Sequence, residues 1–273
     1  MNPLFTINCL WIGNKLGPTE QLCLLSMLKQ GHQVRLFTYE AVLNVPSGIE
    51  IISGNSILPR EKILYDKKRN SPALGSDVFR LKLQEHNLGI WLDLDILLLK
   101  PLFSQTADLF GRQHGDTFNN AVLYLNSDSP ILKSLIDFVS NPYPVPPFFS
   151  RTSQFMLKTR KTLRLPKHVS YMNWGVFGPK ALTHFIRVHN STQFAQPEDV
   201  FYPVNYKDAH GPFTANWNTE KHITPNTKAL HLWNEMLKKP SSIRPDASRN
   251  NFIVEKNSFV EKYAREELEF RFK

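Results

Sequence analysis

The sequence predicts an α/β fold with a mostly parallel central sheet flanked by helices. Strand-like and helix-like patterns alternate through the first third of the chain, the signature of βαβ units. The length of 273 residues is enough to bury roughly 70–75% of the unfolded surface without staples. Hydrophobic residues at 41% and charged residues at 21% are globular values, which exclude disordered, collagen-like and coiled-coil classes.

Residues 5–13 read as a first strand closed by the turn at Gly13. Pro18 suits a first helical position, and Leu22, Leu25 and Leu28 keep helical spacing until Gly31 stops the helix. Residues 34–39 and 49–52 are further strands. Ser76 is positioned to cap a helix over 77–87, and the apolar run 90–99 reads as one strand. Residues 121–125 suggest a strand and 130–139 a helix. The Pro-rich stretch 141–147 can be neither, because proline lacks the backbone donor, and it reads as a surface loop. Helices are expected over 153–161 and 180–189, and a strand over 229–233. A polar connector, 240–251, precedes a charged helix at 255–270. Residues 1–239 are expected to form one domain, with 240–273 packed on or beside it. No internal repeat or low-complexity tract interrupts this plan.

The two cysteines, Cys9 and Cys23, rule out a disulfide framework and a four-cysteine zinc site, and they read as buried free thiols. No segment approaches the roughly 18 apolar residues that span a bilayer. The first residues lack a basic region and a cleavage site, so a cytoplasmic location is expected. A formal charge of +9 favours an anionic partner: nucleic acid, a membrane surface or a phosphorylated ligand.

The most informative segment is Leu88-Gly-Ile-Trp-Leu-Asp-Leu-Asp-Ile-Leu-Leu-Leu99. Read as a strand, it puts Ile90, Leu92, Leu94, Ile96 and Leu98 on one face. Asp93 and Asp95 then share the other face between Trp91 and Leu97. Neighbouring buried carboxylates repel each other, and a divalent cation such as Mn2+ or Mg2+ removes that cost. The pair by itself equally describes an amphipathic strand whose acids face solvent. Its place near a strand end favours a site, since α/β sheets bind ligands at the carboxyl ends of their strands. Upstream, Asp77 and Arg80 share a helix face as an i,i+3 pair.

Ser76-Asp77-Val78-Phe79-Arg80 followed by Leu88-Gly89-Ile90-Trp91-Leu92-Asp93-Leu94-Asp95 and Lys100-Pro101-Leu102 resembles glycosyltransferase family 32. That family has a DXD-containing sugar-binding region, and the α-1,4-galactosyltransferases and large clostridial toxins are relatives. Leu10-Trp11-Ile12-Gly13, Asn119-Asn120-Ala121-Val122 and Ala229-Leu230-His231-Leu232-Trp233-Asn234 are similar to further family segments, in the same order.

The resemblance implies a GT-A fold binding a nucleotide sugar, UDP-linked, across the sheet. It implies Mn2+ or Mg2+ on Asp93 and Asp95, with His231 as third protein ligand. It further implies that Asp77 and Arg80 contact the sugar and phosphate, that Trp11 and Ile12 receive the base, and that Asn119 and Asn120 line the sugar pocket. Trp233 would meet the diphosphate. The activity implied is retaining transfer of a hexose to a glycan or glycolipid acceptor in surface polysaccharide synthesis.

Two other classes compete. A basic nucleic-acid-binding protein would use the net charge, but no nucleic-acid motif is present and no such partner is expected. A metal-dependent phosphohydrolase would use the same aspartates to activate water. Phe148-Phe149 and the terminal Phe270-Arg271-Phe272-Lys273 are candidate points of peripheral contact with the inner membrane face or the acceptor.

Overall fold

β1 (Ile7–Trp11) opens the sheet, and α1 (Pro18–Lys29) returns the chain to β2 (Val34–Thr38) and β3 (Glu50–Ser53). The structure is a computed structural model that describes residues 3–245 and 253–272. α2 (Ala73–Glu85) leads to β4 (Ile90–Leu92), β5 (Ile96–Leu98), β6 (Leu109–Gln113) and β7 (Thr117–Tyr124). Three helices follow, α3 (Pro130–Ser140), α4 (Arg151–Thr162) and α5 (Pro179–Val188), and then β8 (Ala195–Gln196). The remaining elements are short: α6 (Glu198–Phe201), α7 (Thr219–His222), β9 (Ala229–His231), α8 (Asn234–Leu237) and α9 (Phe259–Glu267).

Seven strands form one sheet in the order β3-β2-β1-β4-β7-β6-β8, and β5 pairs with β9 in a second, two-stranded sheet. Pairing is parallel from β3 to β4 and between β6 and β8, and antiparallel through β4-β7-β6. The α/β architecture with a mostly parallel sheet is therefore present. Both sheet faces are buried, as parallel sheets require. Ile7, Cys9, Leu36, Ile90 and Leu92 enter one apolar cluster. Phe37, Phe79, Trp91, Phe110 and Leu123 enter the other. Cys9 and Cys23 are buried free thiols, and burial pushes both thiols well up from their ordinary range.

Three expectations need correction, and one strand has no expectation to match. The apolar run 90–99 is two strands, because the chain turns at Asp93–Asp95 and leaves the main sheet. α2 begins at Ala73, three residues before the expected cap. Ser71 Oγ accepts the Ala73 N–H at 3.3 Å, and Ser76 lies inside the helix with its hydroxyl 3.3 Å from Arg80 Nη2. The last helix starts only at Phe259, where Ser258 Oγ accepts the Glu261 N–H, and residues 246–252 of the expected connector lie outside the described residues. β6 carried no usable signal, since Gly111 interrupts it. The gap is needed there: a Cβ at Gly111 would stand 2.6 Å from the Tyr202 ring.

Gly89 sets the entry to β4. Its φ is +112°, and a Cβ would meet Thr6 O at 2.3 Å. On the same side as β5, Val260 and Ala264 of α9 are buried in the first cluster, and Tyr263 donates its hydroxyl to Leu98 O at 3.1 Å. Phe270 and Phe272 rest against that cluster, and Phe148 and Phe149 against the other. These aromatics are thus half-buried. Lys273 lies outside the described residues. Among the described residues no helix is long and apolar enough to cross a membrane.

Candidate active site

The break after β4 builds the site. Asp93 donates its N–H to Ala121 O at 2.8 Å, the last tie to the main sheet, and accepts the Ile96 N–H at 3.1 Å to close a turn. Beyond it the chain pairs with β9, with Ile96 opposite His231. Asp93 and Asp95 thus flank a turn at the carboxyl end of a central parallel strand. β1 runs beside β4 in register Ile7 to Ile90 and Asn8 to Trp91, so Trp11 reaches the same edge.

Arg80 organises one half. The residue is only 5% exposed. Its Nη1 donates to Asn120 O at 2.6 Å, and Nη2 lies 3.1 Å from Asp93 Oδ1 and 3.6 Å from Asp77 Oδ1. The guanidinium also sits 4.8 Å from the centre of the Trp91 ring, a cation–π contact. Trp91 and Asp93 share a face, and the indole N–H donates to Asp93 Oδ1 at 2.7 Å. Asp77 Oδ1 accepts from Asn120 Nδ2 at 2.9 Å. Burial lifts the Asp77 carboxyl to about 6, against the pull of Arg80 and the Asn120 hydrogen bond. Burial also raises Asp93; Arg80 opposes it and the charge of Asp95 adds to it.

The other half belongs to Asp95. His231 Nε2 is 3.2 Å from Asp95 Oδ1, and Asn234 donates its N–H to Oδ2 at 3.0 Å. Burial works to raise this carboxyl, but His231 and these hydrogen bonds outweigh it and hold it below the usual range. Trp233, in the left-handed conformation at φ 55°, stacks on His231 with ring centres 3.8 Å apart. Its indole N–H is spent on Val204 O at 2.9 Å, so Trp233 positions His231 and has no free N–H for a diphosphate.

The structure brings Asp77, Arg80, Asp93, Asp95, Asn120, His231 and Trp233 together. Asn119 is turned the other way, as its neighbour position in a strand demands: it donates to Gln113 Oε1 at 2.6 Å and accepts the Ala121 N–H at 2.7 Å. Trp11 and Ile12 lie at the edge against opposite clusters, and the Trp11 Nε1 is buried without a partner among the described residues.

Three residues went unassigned. Glu20 of α1 accepts from Asn234 Nδ2 at 2.8 Å, and no local pattern marks it. Asn234 closes the segment around His231 and was available to assignment there. Gly178 precedes α5, where a Cβ would stand 2.6 Å from Asp77 Oδ2, and the Gly-Pro pair at a helix start was the usable signal.

The donor set fits a hard divalent cation. Trp91 and Arg80 both bind Asp93 Oδ1, which leaves Oδ2 free of hydrogen bonds among the described residues. Beside Asp95, the buried amide oxygen of Asn234 has no partner among the described residues. No group of three His, Cys, Asp or Glu among the described residues is gathered as a ligand cage; ions of the Mg2+ type commonly take few protein ligands and complete their shell from phosphate and water.

A cleft of about 550 Å³ lies along α5, lined by Gln113, Phe148, Phe149, Lys180, His184 and Arg187 among others. A small recess against Asp77 is bounded by Asp66, Trp174 and Gly175.

The sheet edge thus carries paired aspartates beside an acid–arginine helix face, and part of the chain is similar to glycosyltransferases. Residues 166–267 match the family model described as the alpha 1,4-glycosyltransferase conserved region. The chain is 25% identical over 190 residues to Subversion of eukaryotic traffic protein A of Legionella pneumophila subsp. pneumophila. That match takes in 65% of this chain and 26% of the relative, so the chain spans about a quarter of that protein's length. The UDP-bound glycosyltransferase domain from the YGT toxin is 11% identical with a TM-score of 0.48, over 72% of this chain and 80% of that one. The catalytic domain of alpha-toxin from Clostridium novyi is 12% identical with a TM-score of 0.46, over 86% and 79%.

Proposed function

We propose that the chain is a glycosyltransferase that moves a hexose, with retention, from a UDP-sugar to a glycan or glycolipid acceptor, acting in surface polysaccharide synthesis at the cytoplasmic face of a membrane. Residues 1–239 serve as the transferase domain, with 240–273 packed beside it. The observation that carries this reading is the pairing of Asp93 and Asp95 across a turn at the sheet edge, with one oxygen of Asp93 unengaged.

Asp93 and Asp95 would hold Mn2+ or Mg2+, which when bound supplies positive charge to the departing diphosphate. His231 aims Asp95 and favours its charged form, and Arg80 aims Asp93 and opposes the upward pull of burial on it. Asp77, anchored by Asn120, accepts hydrogen bonds from sugar hydroxyls. The face of Trp11, with Ile12 beside it, receives the base. Preorganised groups of this kind lower a barrier by several kcal/mol. No side chain is assigned as a covalent nucleophile. The acceptor hydroxyl bonds to the anomeric carbon on the face the diphosphate leaves, and its proton departs with the phosphate oxygen.

The test is UDP release from a panel of UDP-sugars with Mn2+, by wild type and Asp95→Asn. A fall of at least about a hundredfold in the variant is expected for a group of this type; equal release removes Asp95 from the mechanism. Release unaffected by any acceptor points to hydrolysis instead, and an inverted product rejects retention.

A further inference from the structure

Between Phe138 and Pro197 the chain carries eight Lys and Arg and no Asp or Glu. Nearly the whole excess of positive charge therefore sits in this one segment. Of the eight, only Arg187 forms an ion pair among the described residues. α4 lies in the middle of the segment and buries only Leu157.

Leu157 faces inward, so at 3.6 residues per turn Phe155 falls on the opposite, outward face, flanked by Arg151 and Lys158. Phe155 is 73% exposed and Met156 62%. Leu163 and Leu165, just past the helix, are 64% and 63% exposed. Large apolar side chains left in water beside unpaired cations mark an interaction surface. A purely polyanionic partner such as nucleic acid would leave Phe155 and Met156 without a use. An anionic bilayer uses both: headgroups meet the cations while the apolar side chains enter the acyl boundary.

We propose that α4 and residues 163–165 dock on an anionic phospholipid surface. The patch borders the cleft, since Gln154 Nε2 donates to Pro147 O at 3.0 Å and Phe149 O at 2.8 Å, and Ser150 and Ser153 line the cleft wall. Docking therefore turns the cleft mouth toward the lipid. In that arrangement the acceptor is membrane-borne, a consequence that rests on the transferase reading, whereas docking itself does not.

The experiment is co-sedimentation of the full chain with phosphatidylcholine vesicles, with and without phosphatidylserine. Wild type is expected to bind the anionic vesicles, to ignore the neutral ones and to release at high salt. Lys158→Gln/Arg160→Gln/Lys161→Gln and, separately, Phe155→Ser/Met156→Ser should each weaken binding by about tenfold or more. Both variants should melt like wild type and release UDP from a donor without vesicles at the wild-type rate. Asp95→Asn should sediment normally while losing UDP release, which separates failure of docking from failure of the transferase assignment. Vesicle binding unchanged in both α4 variants, or absent in wild type, overturns the proposal. So does binding to single-stranded RNA that the charge variant loses and the Phe155/Met156 variant keeps.

Discussion

His231 Nε2 lies 3.2 Å from Asp95 Oδ1, and the stacked ring of Trp233 fixes the imidazole there. Asp95 immediately precedes β5 and His231 ends β9, strands that pair with each other, so the contact reports directly on the small second sheet. His231→Ala strands a nearly buried carboxylate and should cost about 3 kcal/mol. In an Asp95→Asn background the same change should cost far less. Chemical denaturation of the four proteins in this cycle measures the coupling.

Asp77 gives a pH-dependent outcome. Its carboxyl is lifted by burial to about 6, above its unfolded value. A carboxyl raised in this way is penalised in its charged form, so the penalty is full above the folded pKa and vanishes as pH falls below the unfolded one. Asp77→Asn should therefore melt higher than wild type at about pH 8, by on the order of 1–3 kcal/mol, and equal it near about pH 4. Donor turnover should fall at least about tenfold in the same protein, since one carboxylate oxygen becomes an NH2 donor and the charge that holds the sugar hydroxyls is lost. Paired melts across pH, with UDP release at neutral pH, check both halves.

Arg80 is the counter-charge for two acids. Arg80→Met leaves Asp77 and Asp93 buried and unpaired, and a loss of about 3–5 kcal/mol is expected. Arg80→Lys keeps the charge but cannot serve Asn120 O, Ser76 and Asp93 together. It should recover part of the stability and little of the turnover. Urea unfolding alongside UDP release distinguishes the two effects.

Gly178 is constrained by the site rather than by its backbone. Gly178→Ala places a methyl 2.6 Å from one Asp77 oxygen and 2.8 Å from the other. The carboxylate must move, so turnover should drop about tenfold or more, while stability changes by only about 1–2 kcal/mol. KM for the donor should rise along with the fall in kcat, as measured by initial rates over a donor series.

Local patterning was sufficient for much of this. Alternation of period 2 and period 3.6 marked β1, α1, β2 and β4, and it placed Trp91 and Asp93 on one face, where they bond. The spacing of Asp77 and Arg80 put both on one side of α2. The same patterning misread 90–99 as a single strand, because an unbroken apolar run looks alike whether it stays in one sheet or crosses into another. What ends β4 is the turn closed by the Ile96 N–H on Asp93 O, and what begins β5 is β9, far along the chain.

From its sequence alone this protein's α/β class, the DXD pair, the helix acid and arginine and the buried thiols could be read, since each depends on neighbours a few residues apart. Long-range packing alone decided that Asn120 rather than Asn119 meets Asp77, that Trp233 spends its N–H on Val204, and that Glu20 and Gly178 press on the site. Strand partner and side-chain direction are set by which surfaces exclude water together. That is a property of the whole folded chain and not of any short stretch within it.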